Sequence, residues 1–160
     1  MNAPHTGSAP QCAGLEPPPW RLWRRVLPQH TDHAGVVWHG AYVAWLEEAR
    51  VEALAAVGLA YSDLSARGLE LPVVALSIAY RLALLHGDRV EIRSWSEPRL
   101  GLKLPWRSQL FDGSGRLAAE ARVELVAVAM GDGPERRRLL RRLPEDLEEA
   151  LGRLGAGPLA

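Results

Sequence analysis

The stretch Thr31-Asp32-His33-Ala34-Gly35-Val36-Val37-Trp38-His39 holds the residues whose types and spacing point to chemistry. Asp32 opens a glycine-containing turn, and the turn runs straight into a long apolar segment with helical spacing. The first N–H groups of a helix lack intrahelical partners and carry the positive end of its dipole. A carboxylate beside such donors supplies a nucleophile or general base next to an oxyanion site, which acyl transfer requires. A turn-forming or capping aspartate has the same local signature, so spacing alone leaves both readings of Asp32 open.

The neighbours divide in the same way. His39 offers a backbone N–H at the helix entry, with Trp38 beside it, and an imidazole that titrates near neutrality. Gly35, Val36, Trp38, Tyr42 and Trp45 are candidate walls for an acyl group, and core packing is the equal alternative for the aromatics. Glu47 is either a second carboxylate facing the site or the partner of Arg50 one turn later. His30, Asp32, His33 and His39 have the side chains of a zinc site, but His30 and His33 lack helical i,i+4 spacing, so no metal is expected.

These groups need a scaffold to hold them. Trp20 to Leu27 alternates as a first strand, with Trp20, Leu22 and Arg24 set against Arg21, Trp23 and Arg25, and Pro28 ends it. Tyr42, Trp45, Leu46, Ala49, Ala53, Ala56 and Val57 recur at helical spacing up to Gly58, which predicts a mostly enclosed helix. A connector over 59–70 precedes four period-two runs. Val74 to Leu82 is the first, and Val90 and Ile92 alternate with charges in the second. Leu104 to Leu110 and Leu117 to Ala127 are joined at Asp112-Gly113-Ser114-Gly115, a strong hairpin turn. Their hairpin spacing predicts an antiparallel sheet. Pro144 opens a short terminal helix over 144–154. One helix covers one sheet face only, so the other face and the edges favour a homodimer or homotetramer. The domain plan is a flexible leader over 1–18, a folded domain over 19–131, and an extension over 132–160.

Composition narrows the partners. The chain has 160 residues, 48% hydrophobic and 24% charged, with 19 basic against 19 acidic side chains. Zero net charge gives no global field for nucleic acid or an anionic membrane, so phosphate must be held by a local patch. Cys12 is the only cysteine, and one thiol builds neither a disulfide framework nor a thiolate zinc site, which favours a reducing, cytoplasmic setting. No signal peptide or membrane span is read. Arg136, Arg137, Arg138, Arg141 and Arg142 form a dense basic run that the acidic 145–149 segment is expected to neutralise.

Thr31-Asp32-x-Ala34-Gly35-Val36-Val37-x-His39-x-x-Tyr42, followed by Glu47-x-Ala49-Arg50, resembles the hotdog-fold acyl-CoA thioesterases. The likeness is closer to the 4-hydroxybenzoyl-CoA thioesterase and YbgC-type group. Gly87-Asp88 and Ala119-x-Ala121-Arg122-Val123 fit the same group, and the resemblance spans about residues 20–130. It implies an α+β hotdog fold, with a long central helix wrapped by a curved five-stranded antiparallel sheet and dimers joined edge to edge. It implies Asp32 as nucleophile or general base and the His39 N–H as oxyanion donor. Arg99, near Lys103 and Arg107, matches by position an arginine that contacts coenzyme A phosphate. The expected activity is hydrolysis of an acyl-CoA with no bound cofactor, the acyl group being aliphatic, 4-hydroxybenzoyl or 1,4-dihydroxy-2-naphthoyl. The rival is a hotdog module that binds an acyl thioester, or an acyl carrier protein, without hydrolysis.

Overall fold

A computed structural model describes residues 16–131 and 136–159. The large sheet is built from β1 (Trp20–Arg25), β3 (Val73–Tyr80), β4 (Arg89–Ser96), β5 (Lys103–Phe111) and β6 (Leu117–Val126). All neighbours are antiparallel, and the order across it is β1-β4-β5-β6-β3. Helix α1 (His39–Ala56) packs on one face of this sheet. One long helix against five antiparallel strands is the expected α+β hotdog arrangement.

Period-two alternation decides which strand residues meet α1. Val90 and Ile92 of β4, Leu110 of β5, and Ala119 and Ala121 of β6 share a core with Tyr42, Trp45, Leu46 and Ala49. The alanines are small enough to let helix and sheet approach closely. Arg24 of β1 points the same way, and its guanidinium forks onto the Glu48 carboxylate of α1, with Nε at 2.7 Å. The helix ends as its sequence predicts. Leu59 N–H bonds the Leu54 carbonyl and Gly58 N–H the Ala55 carbonyl, a Schellman closure with Leu54 and Leu59 both buried.

Several features differ from the sequence reading. β3 does not hairpin onto β4; it pairs with β6 at the far edge, and residues 81–88 carry the chain back across the sheet. A bulge between Val73 and Ala75 shifts its register. Among the described residues no element covers most of β3 on the α1 side, so Val74, Leu76 and Tyr80 are 54, 42 and 52% exposed rather than core. Helix α1 is enclosed on one side only: Val43, Ala44, Glu47, Glu52 and Ala55 are exposed. The 59–70 connector contains α2 (Tyr61–Ala66) and β2 (Leu69–Glu70), and β2 joins β7 (Val128–Met130) and β8 (Arg137–Leu139) in a second, three-stranded sheet.

Helix α3 (Glu145–Ala156) buries Leu147, Ala150 and Leu154 against Leu104, Trp106, Val123 and Leu125, so the segment after residue 131 closes the lower half of the core. Residues 1–15 of the expected leader, including Cys12, lie outside the described residues. Its end is docked: Trp95 Nε1 donates to the Pro17 carbonyl at 2.9 Å and Arg107 pairs with Glu16. The arginine run is not neutralised by the 145–149 segment. Arg137 pairs with Glu70 at 3.4 Å, while Asp146 pairs with Arg67 and Glu148 faces Arg99 at 3.9 Å.

Candidate active site

Residues 30–38 form a miniature hairpin with Asp32 at its tip. Asp32 N–H donates to the Val36 carbonyl at 2.8 Å, Thr31 bridges to Val37, and Trp38 N–H donates to the His30 carbonyl at 3.1 Å. Gly35 takes φ +76°, a left-handed conformation that a side chain would strain, and this lets the chain reverse within the turn. The returning arm is stitched to the chain ahead of β4. Val37 N–H bonds the Leu84 carbonyl, and His86 N–H bonds the Gly35 carbonyl. Asp88 holds that second loop by accepting the Leu85 N–H at 2.8 Å. Two loops far apart in sequence therefore brace one carboxylate.

The two oxygens of Asp32 are not equivalent. Oδ1 accepts the N–H groups of Ala34 at 2.8 Å and Val36 at 3.1 Å, while Oδ2 takes no hydrogen bond from the described residues. One oxygen sets the orientation of the carboxylate, and the other stays unbonded by the described residues. No cation pairs with Asp32 among the described residues. The side chain is exposed.

The donors stand at the other end of the same hairpin. Trp38 is the N-cap of α1 and its N–H is already committed to His30, and Ala41 N–H turns back to the Trp38 carbonyl at 3.0 Å. His39 and Gly40 are left with N–H groups that bond nothing among the described residues. These two amides, rather than that of Trp38, are the donors open to an oxyanion. The Trp38 indole, 45% exposed, covers Gly40 and meets the His39 ring edge-on at 5.3 Å between centroids.

The aromatic candidates separate by burial. Tyr42 and Trp45 are each 2% exposed and sit in the core, so within one chain they offer no open wall. Burial pushes the Tyr42 phenol up to about 12, which keeps it neutral. Its ring meets Tyr80 edge-on at 5.0 Å, and half-exposed Tyr80 is the aromatic surface that sequence reasoning missed. The signal was its place at the end of a period-two run, on the same face as Ile78. His30 turns inward, its Nδ1 accepting the Leu27 N–H at 3.0 Å and its ring edge against Trp45 at 5.1 Å. His33 is exposed in the turn, and among the described residues no three His, Cys, Asp or Glu side chains gather as metal ligands. Glu47 pairs with Arg50, as the salt-bridge alternative held.

The phosphate candidates lie elsewhere in the chain. The Asp32 hairpin is docked at the Arg89 end of β4 and Arg99 follows its Ser96 end, seven residues or about 23 Å away. Arg99 donates to the carbonyls of Gly101 at 2.7 Å and Arg141 at 2.9 Å, and Lys103 pairs with Glu124 at 2.5 Å. Arg99 and Arg107 border a cavity of about 620 Å³ between α3 and the β4–β5 turn. A single chain does not bring these cations to Asp32.

The chain is similar to several known proteins. A profile described as the thioesterase-like superfamily matches residues 26–151. The Synechocystis protein sll0410, an esterase by name, is 37% identical over 131 residues, covering 81% of this chain and 76% of that protein. The acyl-CoA thioester hydrolase YbgC of Escherichia coli is 30% identical over 104 residues, covering 65% of this chain and 78% of its own. Among solved structures, a DHNA-CoA thioesterase from Staphylococcus aureus superposes with a TM-score of 0.73 at 26% identity, over 85% of this chain and 90% of that one. No helix among the described residues is long and apolar enough to cross a membrane.

Proposed function

The chain belongs to the thioesterase-like superfamily, and from that membership we propose that it hydrolyses an acyl-CoA thioester with Asp32 as the reacting carboxylate. The observation that carries the proposal is the division of labour within Asp32: Oδ1 is anchored by two backbone N–H groups, and Oδ2 accepts none from the described residues. A carboxylate fixed by one oxygen is already aimed when a thioester arrives, so little orientation is lost on binding.

The chemistry is a substitution at the thioester carbonyl. As general base, Oδ2 takes a proton from water, the hydroxyl oxygen bonds the carbonyl carbon, and the C–S bond then breaks. The coenzyme A thiolate leaves and takes up the proton. As nucleophile, Oδ2 itself bonds the carbon, thiolate departs, and water hydrolyses the resulting anhydride. In both routes negative charge grows on the carbonyl oxygen, where the His39 and Gly40 N–H groups serve; one such donor typically contributes about 3–4 kcal/mol. No bound cofactor takes part. A single turnover in oxygen-18 water tests the nucleophilic route: label in Asp32 arises only from an anhydride that water opens at the aspartyl carbonyl.

We also read the working unit as a homodimer. β3 is an edge strand with no partner on its outer side among the described residues, and it carries exposed Val73, Val74, Leu76 and Tyr80 beside exposed Val43 of α1. Two such edges related by a two-fold axis run antiparallel, so the Asp32 end of one chain lies beside the Arg99 end of the other. That arrangement supplies the partner's Arg99 and Lys103 to coenzyme A phosphates, which one chain alone does not. Exposed Trp38 and Tyr80 favour an aromatic acyl group, of the 4-hydroxybenzoyl or 1,4-dihydroxy-2-naphthoyl kind, over a fatty chain. Thiol release from a panel of aryl- and aliphatic acyl-CoAs tests this. Turnover with a preference for aryl esters supports the reading. Binding without turnover, or turnover only of acyl carrier protein thioesters, contradicts it.

A further inference from the structure

The hairpin that carries Asp32 is tied at its base by His30, a titratable group that the thioester chemistry leaves unused. Pro28–His30 forms one turn of 3-10 helix. His30 closes that turn twice: its backbone N–H donates to the Leu27 carbonyl at 2.9 Å, and its Nδ1 accepts the Leu27 N–H at 3.0 Å. The same residue opens the hairpin, because its carbonyl accepts the Trp38 N–H at 3.1 Å. Asp32 stands two residues further on, and Trp38 immediately precedes the open amides of His39 and Gly40. One residue therefore links the turn, the carboxylate and the helix entry.

Accepting a backbone N–H fixes the state of the ring. Nδ1 must be bare, so the neutral imidazole carries its proton on Nε2. In the imidazolium both nitrogens are donors, and an Nδ1–H would face the Leu27 N–H. The surroundings push the same way. From α1, the Trp45 ring meets the imidazole edge-on at 5.1 Å, and the Glu48 carboxylate lies within range of its charge. That carboxyl is held below the usual range first by its hydrogen bond from Arg24 of β1, with the charges of Arg24 and His30 adding to it. A protonated ring is thus turned away from Leu27 and drawn toward Glu48. We propose that His30 is a positioning residue for Asp32: its neutral imidazole holds the hairpin in place, and its protonation releases it. A misplacement of about 1 Å can cost about 100-fold in rate, so a hydrogen bond outside the reacting groups can govern them. The proposal rests on the reading of Asp32 as the reacting carboxylate.

The test compares wild type, His30→Asn and His30→Leu between about pH 5 and 8. The asparagine carbonyl oxygen stands as many bonds from the backbone as Nδ1 does, and it accepts an N–H without titrating. The ratio of kcat in His30→Asn to kcat in wild type should rise several-fold as pH falls across that range. His30→Leu has no acceptor and should lose about tenfold in kcat even at the alkaline end. Backbone amide exchange, corrected for its intrinsic pH dependence, reads the hairpin without substrate. Protection of the Ala34, Val36 and Trp38 N–H groups should drop several-fold in wild type on acidification and hold steady in His30→Asn. The exposed His33, His39 and His86 act on both proteins alike. A flat kcat ratio, or protection that changes equally in the two proteins, would overturn the proposal. The Asp32 reading fails separately, through an Asp32→Asn protein that retains kcat, and that failure leaves the protection difference in place.

Discussion

The indole of Trp38 covers the α-carbon of Gly40 so closely that a Cβ at residue 40 would stand 2.2 Å from the ring. That contact sets the indole against the first turn of α1, where the His39 and Gly40 N–H groups bond nothing among the described residues. Glycine at this position is a packing requirement, and the residue it accommodates borders the proposed reacting centre.

Gly40→Ala therefore behaves unlike an ordinary helical substitution. Alanine normally gains about 1 kcal/mol over glycine inside a helix. Here the indole must leave, so the variant should lose about 1 kcal/mol or more in denaturant unfolding and should raise KM for aryl substrates. In a Trp38→Ala background the same change should become neutral or stabilising. Equal effects in both backgrounds would show that the contact carries no energy.

The edge strand gives an oligomer prediction. Leu76→Arg places a charge in the middle of β3, on the face that Leu76 shares with Ile78. The variant should sediment as a monomer where the wild type sediments as a dimer, and turnover should fall with the loss of the partner's phosphate contacts. A dimer that survives Leu76→Arg would move the interface off this edge.

Much of this was legible in the chain, and the reasons are local. The period-two runs around Ile92, Leu110 and Ala121, the Asp112–Gly115 turn and the closure after Leu54 depend on neighbours within a few residues. The Asp32 turn is similarly local, because its hydrogen bonds span four residues. What failed to show was non-local. Whether β3 pairs with β4 or with β6 is decided across the sheet, and so is the exposure of Leu76 and Tyr80. Helical spacing placed Tyr42 and Trp45 on one face without saying whether that face met a ligand or the sheet. Arg99 looked like a free cation because nothing nearby in sequence announces that the Arg141 carbonyl will take its N–H. β2, β7 and β8 are too short to carry a period.

The burial of Tyr42 gives a prediction for alkaline pH. Its phenol is pushed from 10.0 in the unfolded reference to about 12 by burial, so the folded chain keeps a proton that the unfolded chain gives up. The stabilisation it provides is full below pH 10 and drains away as pH rises toward 12, by about 2–3 kcal/mol. Tyr42→Phe should flatten the fall in unfolding free energy between pH 10 and 12. An unchanged slope would show that another group is responsible.

The central claim is that Asp32 does the chemistry, and the most direct measurement is kcat of Asp32→Asn against the best aryl-CoA substrate. Asparagine keeps an oxygen that can accept the Ala34 and Val36 N–H groups, so the hairpin and its helix entry should persist, with Tm within a few degrees of wild type. With the base or nucleophile gone, kcat should fall by at least about 100-fold while KM changes little. An Asp32→Asn protein that folds normally and retains kcat within a few-fold of wild type would contradict the account.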